Sequence, residues 1–457
     1  MAREVLTGWG RTAPTTAEVV RPGDAASVAS VLASFRPGTG ARGAIARGLG
    51  RSYGDAAQNA GGTVVATAAL DHMSWSDESA GLLRAGAGTS LDTILRALVP
   101  RGWFVPVSPG TRAVTIGGAI AADVHGKNHH ADGSFASHVT SLTLATPTGI
   151  REVSPATDRA LFWATAGGMG LTGIILEATI RMLVIETSSV RVVTERAANL
   201  DDVMGRMTAG DREHRYSVAW VDCLAGGRFL GRSVLTRGDH ARVEELPAGA
   251  RANPLGFDAG RAMAVPAFVP GLVNRATIRL FNEAWFRKAR AHATTIESIP
   301  GFFHPLDGVR GWNRLYGPGG FVQYQFAVPH GAEGVVETAL QRLSALRLPS
   351  FLGVLKRFGP GDPGPLSFPI PGWTLALDLP ARLPGLAGFL DALDELVAGA
   401  GGRVYLAKDG RLRPDLLRRM YPRLGEWLAV RDEVDPEGSL QSDLARRLGL
   451  LGGRRAA

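Results

Sequence analysis

Apolar and β-branched residues in the first 185 positions come in short runs, separated by glycine-rich or polar stretches. Glu18-Val19-Val20-Arg21-Pro22 predicts a short strand closed by proline, and Ala44–Arg47 and Thr63-Val64-Val65 predict two more. Trp103–Val107 and Ile174-Ile175-Leu176 add a further pair. Between them, Asp24 is placed to cap a helix carrying Val28, Val31 and Leu32. Leu91, Ile94, Leu95 and Leu98 fall at helical spacing behind Thr89 or Ser90, and Asp158 opens another helix running to Trp163. In the second half the period drops to two. Gln323 and Gln325 alternate with Val322, Tyr324 and Phe326, and Leu406 and Lys408 alternate with Tyr405 and Ala407. Many short strands with intervening helices predict an α+β architecture.

The loops carry the chemistry. Arg47 leads into Gly48-Leu49-Gly50-Arg51-Ser52-Tyr53-Gly54-Asp55, which reads either as a surface turn or as a nest of backbone amides around a pyrophosphate. Its G-x-G-x-x-x-G spacing is followed by a strand, not a helix, which disfavours a Rossmann dinucleotide site. Gly110 then precedes Thr115-Ile116-Gly117-Gly118, where two residues without a Cβ let backbone approach a large ligand. His125-Gly126-Lys127-Asn128 follows, a polar run beside bare backbone. That combination suits a cofactor with phosphates and a polar ring.

Composition narrows the class without deciding it. The 457 residues allow two or three domains, and 45% apolar content is ordinary for a globular chain. Cys223 is the one cysteine, which excludes an internal disulfide or a cysteine metal cluster. His129 and His130 lack carboxylates at ligand spacing, so no metal is expected. The first residues lack the apolar core of a signal peptide, and no run reaches the roughly 18 apolar residues of a spanning helix. The expectation is a cytoplasmic or peripheral-membrane protein, with association to the cell envelope left open. A net charge of +8 suits an anionic membrane surface or phosphorylated substrate, or simply a solvated basic surface. The basic residues are scattered without a recognition motif, which argues against nucleic acid. Four of the fifty basic residues are lysine, namely Lys127, Lys288, Lys356 and Lys408. In an arginine-rich chain, a retained lysine marks places where a compact, titratable ammonium is useful.

Gly-Leu-Gly-Arg-Ser-Tyr-Gly, Thr-Ile-Gly-Gly with His-Gly, and Gly-Gly-Met-Gly-Leu-Thr-Gly-Ile-Ile together resemble the flavin domain of the vanillyl-alcohol-oxidase type over roughly residues 15–185. Further on, Trp312-Asn313-Arg314-Leu315-Tyr316-Gly317, Val354-Leu355-Lys356-Arg357-Phe358, Phe368-Pro369-Ile370-Pro371-Gly372-Trp373 and Tyr405-Leu406-Ala407-Lys408-Asp409 resemble the decaprenylphosphoryl-ribose 2′-oxidase family across nearly the whole chain. The resemblance implies a two-domain flavoprotein. An FAD-binding domain would span residues 1–186, an antiparallel-sheet substrate domain 187–402, and a C-terminal segment, 403–457, would return to the FAD domain. Covalent members of the superfamily attach flavin through a histidine in the first glycine loop. Arg51-Ser52-Tyr53 offers neither histidine nor cysteine, so noncovalent FAD is expected.

Besides the three loops, the resemblance puts Ile174 and Tyr405 against the cofactor. It places Trp220, Arg314, Gln323, Gln325, Lys356, Phe358, Thr374 and Ala376 around the substrate. The implied reaction oxidises the 2′-hydroxyl of a polyprenyl-phosphoryl ribose to the keto sugar, with a separate NAD(P)H-dependent short-chain reductase completing the epimerisation to an arabinose donor for the cell wall. A fixed cation beside the reduced flavin lowers the barrier, and Lys408 is the candidate for that charge or for the base; His125 is the alternative base, or a cofactor contact. The family commonly has asparagine and cysteine where this chain has Thr374 and Ala376, and the cysteine is the attachment point of activated nitroaromatic inhibitors.

Two other functions remain open at this point: oxidation of a smaller polyol or aldonolactone on the same fold, and a weakly active flavin-holding scaffold in a wall-synthesis complex. Residues 236–258, rich in charge, glycine and proline, read as a mobile loop. The apolar stretch 262–273 with Phe268 and Leu272 reads either as core or as a lid facing a prenyl tail or bilayer, with Arg261, Arg275 and Arg279 near lipid phosphates.

Overall fold

The computed structural model describes residues 2–35, 42–260, 262–265 and 273–451. Three sheets organise it. A four-stranded sheet runs in the order Ala2–Leu6, Thr15–Val20, Thr63–Ala66, Ala44–Arg47, with its last three strands parallel. A five-stranded antiparallel sheet has the order Met73–Asp77, Leu82–Gly86, Ile174–Arg181, Val139–Thr146, Gly149–Val153. The third is an eight-stranded antiparallel sheet that starts at His292–Ser298 and Ser189–Ala197 and ends at Phe321–Pro329 and Arg403–Val404.

Local sequence explains most of the helices. Asp24 accepts from the Ser27 amide and starts Ala25–Ala33; Ser90 caps Leu91–Leu98, whose Leu91, Ile94, Leu95 and Leu98 are all buried; Asp158 caps Arg159–Thr165. A cap side chain that replaces a missing backbone acceptor stabilises a helix by about 1 kcal/mol. Buried residues of the two smaller sheets pack against these helices, while Tyr324, Phe326, Leu375 and Leu377 of the large sheet share with Val336, Leu340 and Leu390 a core that also takes in Val19, Ile45 and Val64 of the four-stranded sheet.

Two expectations fail here. Thr236–His240 is no mobile loop but the end of the Ser233–His240 strand, paired on both sides. Gly238, which suggested a turn, leaves room there: a Cβ would sit 2.8 Å from the Arg191 carbonyl oxygen and 3.0 Å from Val190. Main-chain pairing on two edges outweighs the polar side chains. The strand expected through Lys408 stops at Val404, because the Lys408 amide turns back to the Tyr405 carbonyl (2.9 Å) and the Asp409 amide to that of Leu406 (3.2 Å). Arg261, Phe268 and Leu272 lie outside the described residues.

The chain's late segment returns to its beginning. Arg447, in the Asp443–Leu448 helix, pairs with Asp55 at 2.8 Å and Asp409 at 2.9 Å, and Asp443 accepts from the Ala60 amide.

Candidate active site

One cavity of about 1670 Å³ lies between the glycine-rich loops of the first half and the large sheet. It exceeds the roughly 300–1,000 Å³ of a single small-ligand pocket, which leaves room for a dinucleotide and a second molecule. Its first wall is backbone. The main-chain N–H groups of Gly48 to Ser52 donate to no protein acceptor among the described residues, and residues 47–53 line the space. Five adjacent unengaged amides make a place for a phosphate-bearing group. Gly110, where an added Cβ would meet nothing within 4 Å, Thr115, Gly118 and His125–Lys127 continue this wall.

Several loop residues expected at the cofactor serve the protein's own packing instead, in part or in whole. Gly117 borders the cavity, yet its missing Cβ is chiefly room for Ala87, 2.9 Å from where that atom would lie. The backbone approach expected for a ligand is here partly an approach to protein. Gly54, Asp55, Ile116, Asn128 and Ile174, expected at the cofactor, stand off the wall. A Cβ on Gly54 would strike the Asp409 carbonyl, Asp55 binds Arg447, and Asn128 donates to the Pro106 carbonyl at 2.8 Å. Ile116 and Ile174 are fully buried, each in an apolar core. The neighbour Ile175 reaches the cavity in place of Ile174.

The second wall is side chain. Trp220, Arg314, Gln323, Lys356, Ala376, Tyr405 and Lys408 all line it. Gln323 and Gln325 are both buried, which removes the reading that they face water. Gln325, Thr374 and Phe358 form the layer behind. Gln325 donates to Thr374 Oγ1 at 2.9 Å and to His125 Nε2 at 3.0 Å, and Phe358 packs its ring 4.9 Å from that imidazole. Tyr405 donates to the Ala122 carbonyl at 2.8 Å, tying the two walls together.

All four lysines line this cavity. The Lys408 ammonium lies 5.5 Å above the Tyr53 ring. Burial, together with repulsion from Lys356, lowers its pKa to about 7, while Asp378 opposes the shift. Lys356 falls to about 8 through burial, and its Nζ is 3.5 Å from His125 Nδ1. Lys127 donates to the Phe302 carbonyl and sits 4.0 Å over the Phe302 ring; burial takes it to about 7. His125 is held well below the usual imidazole range, first by burial and then by Lys356 and Lys408.

Asp378 was missed from the sequence. It is fully buried, accepts from Gln323, and burial raises its carboxyl to about 7. The signal was available: Thr374, Ala376 and Asp378 occur at period two on one strand, so the face that carries the first two carries the third.

Comparison with known proteins agrees with this geometry. Residues 16–154 match the family model of the FAD binding domain, and residues 381–448 match that of D-arabinono-1,4-lactone oxidase. The chain is 44% identical over 450 residues to decaprenylphosphoryl-β-D-ribose oxidase of Mycolicibacterium smegmatis, covering 98% of this chain and 97% of that one. It is 44% identical to an uncharacterized protein from the mprA 5′ region of Streptomyces coelicolor, over 79% of this chain and all of that protein. An uncharacterized oxidoreductase of the fasciation locus of Rhodococcoides fascians matches 35% of the chain at 30% identity. Likeness along the whole length to such an oxidase, on a two-walled α+β fold with an FAD-binding domain, makes this chain a member of the decaprenylphosphoryl-β-D-ribose oxidase family and an FAD-dependent oxidoreductase.

Proposed function

We propose that this protein oxidises the 2′-hydroxyl of a polyprenyl-phosphoryl-β-D-ribose to the 2′-keto sugar, the first half of an epimerisation, with FAD held noncovalently. The observation that carries the reading is the pairing of walls: unengaged amides at 48–52 on one side, and Gln323, Lys356 and Lys408 on the other. Amides suit the phosphates of FAD. Gln323 and the lysines suit a polar sugar and its phosphate. The absence of cysteine and histidine from residues 48–55 supports noncovalent binding. We assign the FAD domain to residues 1–186, the substrate domain to 187–402, and a returning segment to 403–457.

Bound FAD supplies the acceptor for the hydride that leaves C2′. The chain must handle the proton from the hydroxyl. We assign this proton to Lys408, because with its pKa lowered to about 7 a neutral amine is populated near neutral pH and accepts at Nζ. Gln325 already donates to Nε2 of His125, so His125 is assigned a positioning role toward Lys356 rather than that of base. Asp378 supplies the counter-charge as Lys408 becomes an ammonium. We further assign a separate NAD(P)H-dependent reductase to the second half-reaction, and contact with a membrane surface to deliver the substrate. No helix among the described residues is long and apolar enough to cross a membrane.

The test is to incubate the purified holoenzyme with lipid-linked ribose and seek the keto product by mass spectrometry. Anaerobic flavin bleaching by simple polyols or aldonolactones, without bleaching by lipid-linked ribose, would replace this substrate with a smaller one.

A further inference from the structure

Four strands of the large sheet carry one apolar row. Trp220 lies directly opposite Val234 on one neighbouring strand and Val354 on the other, and Val354 lies opposite Ala376. Directly opposed residues of an antiparallel sheet put their side chains on the same face. All four line the active-site cavity, so the row makes an apolar floor three strand spacings long, about 14 Å. Polar groups gather at its Ala376 end. Gln325 opposes Ala376, Gln323 lies two residues along that strand, and Lys356 shares strand and face with Val354.

The Arg275–Lys288 helix runs across the ends of the other three strands. Asn282 donates to Asp222 at 2.6 Å, just past the Trp220 strand. The Phe281 ring lies 5.0 Å from that of Phe351, just ahead of the Val354 strand, and Phe286 lies 4.8 Å beneath the guanidinium of Arg232, just ahead of the Val234 strand. Phe281 and Trp285 stack at 5.9 Å and line the cavity, which gives the floor an aromatic side wall. These surfaces are not covered by protein. Trp285 is 42% exposed, and Phe281, Trp220 and Val354 are half-buried. Apolar surface left open on the floor and wall of one recess gains by taking in hydrocarbon. Recessed beside a helix and continuous with the polar centre, it admits a slender chain attached to a polar head.

We propose that this recess holds the first isoprene units of the substrate's prenyl chain, with Val354, Trp220 and Val234 beneath the chain and Phe281 and Trp285 beside it. The sugar at the head of that chain rests on the lipid-linked reading above. The recess is argued from its own surface.

The test measures calorimetric binding to the holoenzyme of dimethylallyl phosphate and farnesyl phosphate, neither of which carries a sugar. Each buried methylene tightens binding by about fourfold, so farnesyl phosphate should bind at least roughly tenfold more tightly than the one-isoprene probe. Phe281→Ala with Trp285→Ala, and separately Trp220→Ala, should remove most of that difference and leave dimethylallyl phosphate bound as before. Both variants should keep the flavin spectrum, which shows that they fold. Equal affinity of wild type for the two probes, or the full difference in either folded variant, overturns the proposal. The sugar reading fails separately: an enzyme that prefers farnesyl phosphate, yet forms no keto product from lipid-linked ribose, keeps the recess and loses that substrate.

Discussion

Gln325 donates to Nε2 of His125 at 3.0 Å, and the other nitrogen of that ring lies 3.5 Å from Lys356. Both nitrogens of His125 therefore have a side-chain neighbour. Its buried position, held well below the usual range, keeps it neutral. Gln325 and Lys356 thus hold the ring from its two sides and make His125 a support between the two walls. Proton transfer is left to the lysines.

Lys408→Ala should retain FAD and fold, yet slow reduction of the flavin by substrate about 100-fold. Anaerobic stopped-flow absorbance with lipid-linked ribose measures this directly. A variant that reduces at the wild-type rate removes Lys408 from the chemistry.

Asp378→Asn tests the counter-charge. Asp378 favours the protonated form of Lys408, so without it the amine should lose its proton more readily. The limb of the pH–rate profile for flavin reduction should move about one unit toward lower pH. A merely structural role would lower the rate and leave the limb where it was.

The apoprotein should become more stable between about pH 7 and 9.5. Burial lowers Lys408 and Lys127 to about 7 and Lys356 to about 8, so across this window the folded state binds fewer protons than the unfolded chain. Stability then rises with pH. Asp378, raised to about 7, acts in the opposite sense, but its effect on the slope ends once pH has passed through about 7. Scanning fluorimetry of flavin-free protein should show a climbing melting temperature, less steep in Lys356→Met. A fall over this range would mean that the lysines are solvated.

Ala376 lines the cavity at the position where the resemblance implies a cysteine in other family members, and it has no nucleophile. Cys223 is buried behind Gly353, and burial raises its thiol far above the reactive range. Activated nitroaromatics should therefore leave no stoichiometric adduct in intact-mass spectra, while turnover persists. Ala376→Cys should gain the adduct.

The parts of this fold that were legible in the sequence are those decided within a few residues. Asp24, Ser90 and Asp158 announce their helices because capping is a local hydrogen bond. Gln323 and Gln325 announce a shared face because strand geometry has period two. What escaped depends on distant partners. The Ser233–His240 strand is held by neighbours on both edges, and the turn at Lys408 is followed by Asp409, against whose carbonyl Gly54 packs. Neither cause is visible in the segment itself.

The grip of Arg447 on Asp55 spans 392 positions of chain. A ribosome working at about 5–20 residues per second needs roughly 20–80 s to cover that interval. Throughout it Asp55 lacks this partner, while Trp9 and Gly10 already hold Ser52 and Tyr53. The Asp55 end of the loop can therefore take its Arg447 partner only after residue 447 has been made.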